Sequence, residues 1–227
     1  MVVYNRRENS YRFDQYDYNL IDWIYNDIKE GSRVIFLIRH AERVRDHSHN
    51  WWLTIKWIEQ AKELWKRLIW WNFNNTNSDF YWSTSYKRTF QTSYHVWCSR
   101  WYVPFFEWEK PSHNNREKYD KIYHNIEVVE FNRFKNINNT DIPDAADDLV
   151  NEVCILTEWH PFSFISTHDY LLIPLIRWVT ENNIQFSYEK WINYLSWIAI
   201  IVNETWEWEV YPVRTLNEKS MVRYYKK

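Results

Sequence analysis

Five strand-forming apolar residues in a row, Val34-Ile35-Phe36-Leu37-Ile38, stop abruptly at Arg39-His40, and Arg43 follows three residues later. A continuous apolar run of this length reads as a strand buried on both faces, as parallel strands covered by helices are. In open α/β sheets, ligands bind beyond the carboxyl ends of the strands. The switch from apolar residues to Arg-His therefore puts an imidazole and two guanidiniums where a ligand would sit. An imidazole there can act as a nucleophile or general base. Two guanidiniums beside it disfavour a metal cation and suit phosphate, which Arg binds through paired charge-assisted hydrogen bonds. The local reading is a His aimed at a phosphoryl group.

That reading requires further parts, and the chain supplies them. Phe80-Tyr81-Trp82-Ser83 is a short strand-like run followed by Thr84-Ser85-Tyr86-Lys87-Arg88-Thr89-Phe90-Gln91-Thr92, a loop opening a helix with Arg88 in its first turns. Phe162-Ser163-Phe164-Ile165-Ser166-Thr167-His168-Asp169 repeats the first design, an apolar strand ending in His. Three strand ends thus carry Arg-His-x-x-Arg, an Arg and His-Asp.

Taken together, Leu37 to Arg43, Leu53-Thr54 with Gln60-Ala61, Ser83 with Lys87-Arg88-Thr89 and Gln91-Thr92, and Ser166 to Asp169 resemble the histidine phosphatase superfamily, the phosphoglycerate mutase-like fold. The blocks stand in that family's order and span most of the chain. The resemblance implies that His40 is the nucleophile, that Arg39, Arg43 and Arg88 hold the phosphate oxygens, and that His168 donates to the same phosphate. It also implies a general acid. Asp169 fits the acid-phosphatase branch, whereas in the other branch the acid is a Glu after the Arg88 helix, where Glu107 and Glu109 stand. The chain departs from the family at Trp57, where a Gly is usual, and near Trp197, where a small residue is usual.

Composition adds a warning about the turns. The 227 residues contain one glycine, Gly31, against 17 Trp and 17 Tyr, whereas about 7% glycine is average. Asn, the next most tolerant of left-handed backbone, stands at expected turns in Asn74-Asn75, Asn114-Asn115, Asn138-Asn139 and Asn182-Asn183. Such usage points to a redesigned or composition-biased sequence. The net charge of −2 makes no electrostatic case for nucleic acid or an anionic membrane. No run of roughly 18 apolar residues is present, and Met1 to Ser32 lacks the apolar core of a signal peptide, so the expected location is cytoplasmic. Cys98 and Cys154 are too few for a disulfide framework and read as buried thiols. His47 and His49 lack a third ligand at defined spacing, so neither a metal nor another cofactor is expected.

The periodicities predict a leading helix within 11–30, a strand at 34–38, a polar loop at 44–52 and a helix from the Thr54 N-cap to about 69. A strand at 79–83 and a helix from 86 to 99 follow. Residues 100–143 are irregular and polar and read as a lid over the strand ends. Then come a helix at 144–158, a strand at 162–167, a helix at 170–181 and an edge hairpin of 196–203 and 206–213 turning at Asn203-Glu204. The expected fold is one α/β domain over 1–227: a three-layer α/β/α sandwich with a mostly parallel central sheet. The expected activity is phosphomonoester hydrolysis through a phosphohistidine, acting on a small phosphorylated substrate. A phosphomutase of the same fold and a phosphate-binding scaffold without turnover are the alternatives.

Overall fold

The computed structural model describes residues 31–41, 53, 58–59, 61, 64, 80–100, 126–129, 142–179, 190–192, 194–213 and 222–224. In chain order they form β1 (Arg33–Arg39), β2 (Phe80–Thr84), α1 (Lys87–Arg100), β3 (Ile126–Val129), α2 (Ile142–Leu156), β4 (Phe162–Thr167), α3 (Asp169–Val179), β5 (Lys190–Ile192), β6 (Trp197–Val202), β7 (Trp208–Val213) and β8 (Val222–Tyr224). A six-stranded sheet runs β3-β2-β4-β1-β6-β7, and β5 pairs with β8 in a separate two-stranded sheet.

β3, β2, β4 and β1 are mutually parallel, while β6 runs antiparallel to both β1 and β7. The sheet is therefore mixed. Register then does the work of assembling a site. Arg39 lies opposite Thr167, and Ser83 lies opposite Ser166. The carboxyl ends of three strands consequently finish level at one edge. The ladder continues a residue further, where His40 N–H donates to Thr167 O at 3.0 Å. His40 and His168, each one step past its strand, meet there because of this register. β6, running the other way, starts at the same edge, with Trp197 opposite Ile38.

Side-chain alternation gives the two sheet faces different characters. Ile35, Leu37, Trp82, Ile165, Ile198 and Ile200 belong to one buried cluster with Leu149, Val150 and Val153 of α2 and Leu171, Leu172, Leu175 and Ile176 of α3. The other face stacks rings: Phe36 lies 5.4 Å from Phe162 and 4.6 Å from Trp197, and Tyr81 lies 5.9 Å from Phe164. Trp197 is fully buried in that stack. It lies on the Phe36 side of β1, opposite the side that carries Ile35, Leu37 and Arg39.

Glycine scarcity leaves its mark at the turns. Gly31, entering β1, has φ +85°, and a Cβ there would meet only the exposed, movable Glu204 side chain. Glycine is favoured here by the backbone conformation. Leu195 and Trp206 also take left-handed φ, at 57° and 63°, a conformation that costs a non-glycine residue roughly 1–2 kcal/mol. The β6–β7 turn turns at Asn203, but Asn203 works through its side chain. Its Oδ1 accepts from Thr205 N at 3.0 Å and Glu207 N at 2.9 Å. Trp206, not an Asn, takes the strained position, and its ring receives the Arg33 guanidinium at 4.6 Å. The four Asn pairs singled out as turns lie outside the described residues.

One expectation requires correction. Residues 126–129, inside the stretch read as irregular lid, form β3 at the edge of the main sheet. The β6–β7 hairpin lies at the opposite edge as expected, with β7 outermost. The leading helix within 11–30, the 44–52 loop and residues 101–125 and 130–141 lie outside the described residues, while Ile142 and Pro143 already belong to α2. Among the described residues no helix is long and apolar enough to cross a membrane.

Candidate active site

At the shared strand edge the structure brings together Arg39, His40, Arg88, His168 and Asp169. Arg43, Glu107, Glu109, His47 and His49 lie outside the described residues. β1 delivers Arg39 and His40, α1 delivers Arg88 from its second position, and the β4–α3 junction delivers His168 and Asp169. The two imidazoles have ring centres 5.5 Å apart.

Arg88 sits between them. Its Nε donates to His40 Nε2 at 3.0 Å, and its Nη2 lies 3.4 Å from His168 Nδ1. Tyr86 lies under the same guanidinium at 4.6 Å, a cation–π contact that steadies it. The loop that carries His40 onward is tied to α1. Ala41 N–H donates to Thr92 Oγ1 at 3.0 Å, and Thr92 in turn donates to Arg88 O at 2.8 Å. Gln91 accepts from Leu53 N–H at 2.8 Å. The Gln91-Thr92 pair quoted in the sequence thus fixes the backbone at Leu53 and Ala41.

His40 is buried, and its Nδ1 lies 2.7 Å from Ala41 O. A carbonyl only accepts, so the ring proton sits on Nδ1 and Nε2 keeps its lone pair. Burial above all, then the charges of Arg39 and Arg88 and the neighbouring His168, hold His40 well below the usual histidine range. The bond to Ala41 O opposes this only in part. A neutral imidazole with Nε2 bare and facing a guanidinium has the form of a nucleophile waiting for an anion.

A stability consequence follows. Below roughly pH 6.5 the unfolded chain protonates this histidine, while the folded chain does not until much lower pH. Folding is therefore weakened as pH falls through the ordinary histidine value and further until the folded group titrates. Thermal melts of wild type and His40→Asn should diverge there: wild type should lose stability more steeply on acidification from neutral pH. Parallel slopes would show that His40 is not held neutral.

Arg39 is buried and more committed than the sequence implied. It donates through Nη1 to Ile192 O and pairs through Nη2 with Asp169 Oδ2 at 2.8 Å. Its Cζ lies 4.2 Å over the Tyr194 ring. Its Nε is buried with no partner. Asp169 opens α3, and its Oδ1 accepts from Tyr170 N–H at 3.0 Å. The carboxylate therefore serves Arg39 and the helix start at once.

Four contributors escaped the sequence reading. Tyr194, in the turn before β6, stacks on Arg39 and stands 5.8 Å from His40. Tyr170 stacks on His168 at 5.2 Å, and Tyr86 meets it edge-on at 4.9 Å. Thr84 lies 2.8 Å from His168 Nε2. Thr84 had the clearest signal, standing last in a strand directly before the Arg88 loop. Tyr194 had none, since 17 tyrosines dilute any one of them. Cys154 is free, and burial pushes its thiol up to about 12, far from any nucleophilic role.

No family model matches the chain, and no curated protein matches it. Similar solved structures include the protein histidine phosphatase SixA complexed with tungstate, at 12% identity over 78% of this chain and 94% of that one, TM-score 0.45. A phosphoglycerate mutase from Bacillus anthracis is similar at 14% identity over 81% and 93%, TM-score 0.46. A mycobacterial glucosyl-3-phosphoglycerate phosphatase is similar at 13% identity over 80% and 98%, TM-score 0.46. With TM-scores below 0.5, these likenesses bear no weight in the chemistry proposed next, which stands on the side chains described above.

Proposed function

We propose that the chain is a phosphomonoesterase that works through a phosphohistidine on His40. The observation that carries this reading is the state of His40: proton fixed on Nδ1 by Ala41 O, Nε2 bare, and a guanidinium 3.0 Å from that lone pair. A phosphate monoester entering the edge would draw Arg88 off the two imidazoles and onto its oxygens. Arg39 Nε, buried without a partner, offers a further donor. In-line attack by His40 Nε2 on phosphorus then forms the N–P bond as the P–O bond to the alcohol breaks. Fixed positive groups stabilise the charge that spreads over the oxygens. Asp169 would protonate the departing alkoxide and later deprotonate the water that releases phosphate. Its Oδ2 is paired with Arg39, so carrying that proton requires the pair to loosen as substrate engages Arg39.

In this reading residues 1–227 form one α/β/α-layered domain, with the 100–143 segment, β3 apart, bordering the pocket as a lid. Arg43 is a third phosphate ligand, and the substrate is a small phosphorylated molecule. The guanidiniums supply the charge that a metal would otherwise provide. Hydrolysis of p-nitrophenyl phosphate should therefore persist undiminished in excess EDTA. Loss of activity in EDTA with recovery on adding a divalent ion would overturn the metal-free mechanism.

A further inference from the structure

The proposed phosphatase leaves open which nitrogen of His168 carries its proton, and the hydroxyls behind it answer this. Thr89 Oγ1 lies 2.9 Å from Thr84 O and 2.6 Å from Tyr86 O. Carbonyls only accept, so the Thr89 proton is committed to them. Toward Thr84 Oγ1, at 2.9 Å, Thr89 can then only accept, which uses the one proton of Thr84. Toward His168 Nε2, at 2.8 Å, Thr84 is left with a lone pair. Nε2 must carry the hydrogen, and Nδ1 of the neutral ring is bare. The donor-only Arg88 Nη2 facing Nδ1 at 3.4 Å agrees. His40 and His168 are thus opposite tautomers with both lone pairs turned on Arg88.

We infer that Thr84, backed by Thr89, is a positioning residue that locks His168 as its Nε2–H tautomer and so makes anion binding draw a proton onto His168 Nδ1. A bare nitrogen repels a phosphate oxygen, whereas a protonated one donates to it. When an anion draws Arg88 away from His168, Nδ1 loses the Arg88 contact and takes a proton from solvent to donate to the anion. Nε2–H stays on Thr84 throughout, and the ring becomes the cation that the anion needs. Among the described residues, the charged and titratable groups around His168 include Arg88 of α1, His40 beyond β1, Asp169 and Tyr170 opening α3, and Tyr86 before α1. Arg39 acts one step away through Asp169. The inference rests on the proposed phosphate site, but its test does not use turnover.

The test is long-range proton–nitrogen NMR on protein carrying 15N-histidine, near neutral pH. Expected are an Nδ1–H ring for His40 and an Nε2–H ring for His168. Thr84→Ser should preserve both. Thr84→Val should shift His168 toward the Nδ1–H form while His40 keeps its pattern, which also certifies the fold. Should that variant not fold, the wild-type spectrum still decides the tautomer, and Thr89→Val should loosen it. Added sulfate, a non-hydrolysable dianion, should protonate His168 Nδ1. A wild-type His168 protonated on Nδ1 alone, an unchanged His168 in folded Thr84→Val, or sulfate binding that leaves Nδ1 bare would each overturn the inference. Tautomers as assigned with no response to sulfate would support the lock, sink its anion-linked half, and count separately against a phosphate site.

Discussion

His40→Ala abolishes turnover of every phosphate monoester the chain accepts, with kcat expected to fall by on the order of 10⁴-fold or more, as when a covalent nucleophile is removed. The size follows from what the residue does. Without Nε2 there is no atom for the phosphoryl group to occupy between the alcohol and water, and the guanidiniums can only bind the substrate. Among the described residues His168 is the other imidazole of the cluster, so its Nδ1 is the natural rival. Two facts favour His40. A backbone carbonyl fixes its ring at 2.7 Å, and its lone pair holds the shorter contact to Arg88, 3.0 Å against 3.4 Å. His168→Ala should therefore weaken phosphate handling while leaving covalent capture detectable. Steady-state assays of both variants settle the order. Turnover that survives in His40→Ala and vanishes in His168→Ala would reverse the two roles.

The second large effect is selective. Asp169→Asn should slow cleavage of an alkyl phosphate by about 10²–10⁴-fold, the usual range for general acid catalysis, and p-nitrophenyl phosphate far less. An alkoxide is too basic to leave without a proton, whereas p-nitrophenolate leaves readily. The comparison between substrates is needed because the substitution does two things at once. Besides removing an acid, it breaks the 2.8 Å pair with Arg39 and sets an amide against a guanidinium. A misplaced Arg39 would harm both substrates alike, since both carry the same phosphoryl group. Only the lost proton separates them. Equal losses would mean that Asp169 acts solely by holding Arg39. Glu107→Gln and Glu109→Gln, expected to be near wild type, would then be the next variants to assay.

The sequence made the two His-bearing strand ends legible because a buried parallel strand is a continuous apolar run, and a sudden Arg-His or His-Asp at its end has few structural uses. Arg88 was legible for a similar reason, as a cation opening a helix just after a strand. What stayed hidden depends on direction and on short signals. The run Trp197 to Val202 is apolar throughout, and nothing in it tells that the strand runs antiparallel between β1 and β7. β3 has four residues, one of them Glu127, in a polar stretch, too little for periodicity to register. Arg39 showed its charge but not its commitments. Its bonds to Ile192 O and Asp169, and its stacking on Tyr194, join residues more than a hundred positions away. The Thr89–Thr84–His168 chain was in view as letters, but hydrogen-bond direction exists only once distances do.

The central claim is a covalent bond between phosphorus and His40. Rapid quenching of wild-type protein during turnover of a radiolabelled phosphate monoester, followed by peptide mapping, reads that bond directly. The expected result is label that is lost in acid, survives alkali, and lies on the peptide holding His40, with none captured by His40→Ala. Label on His168, or brisk hydrolysis without any labelled protein at any quench time, would contradict it.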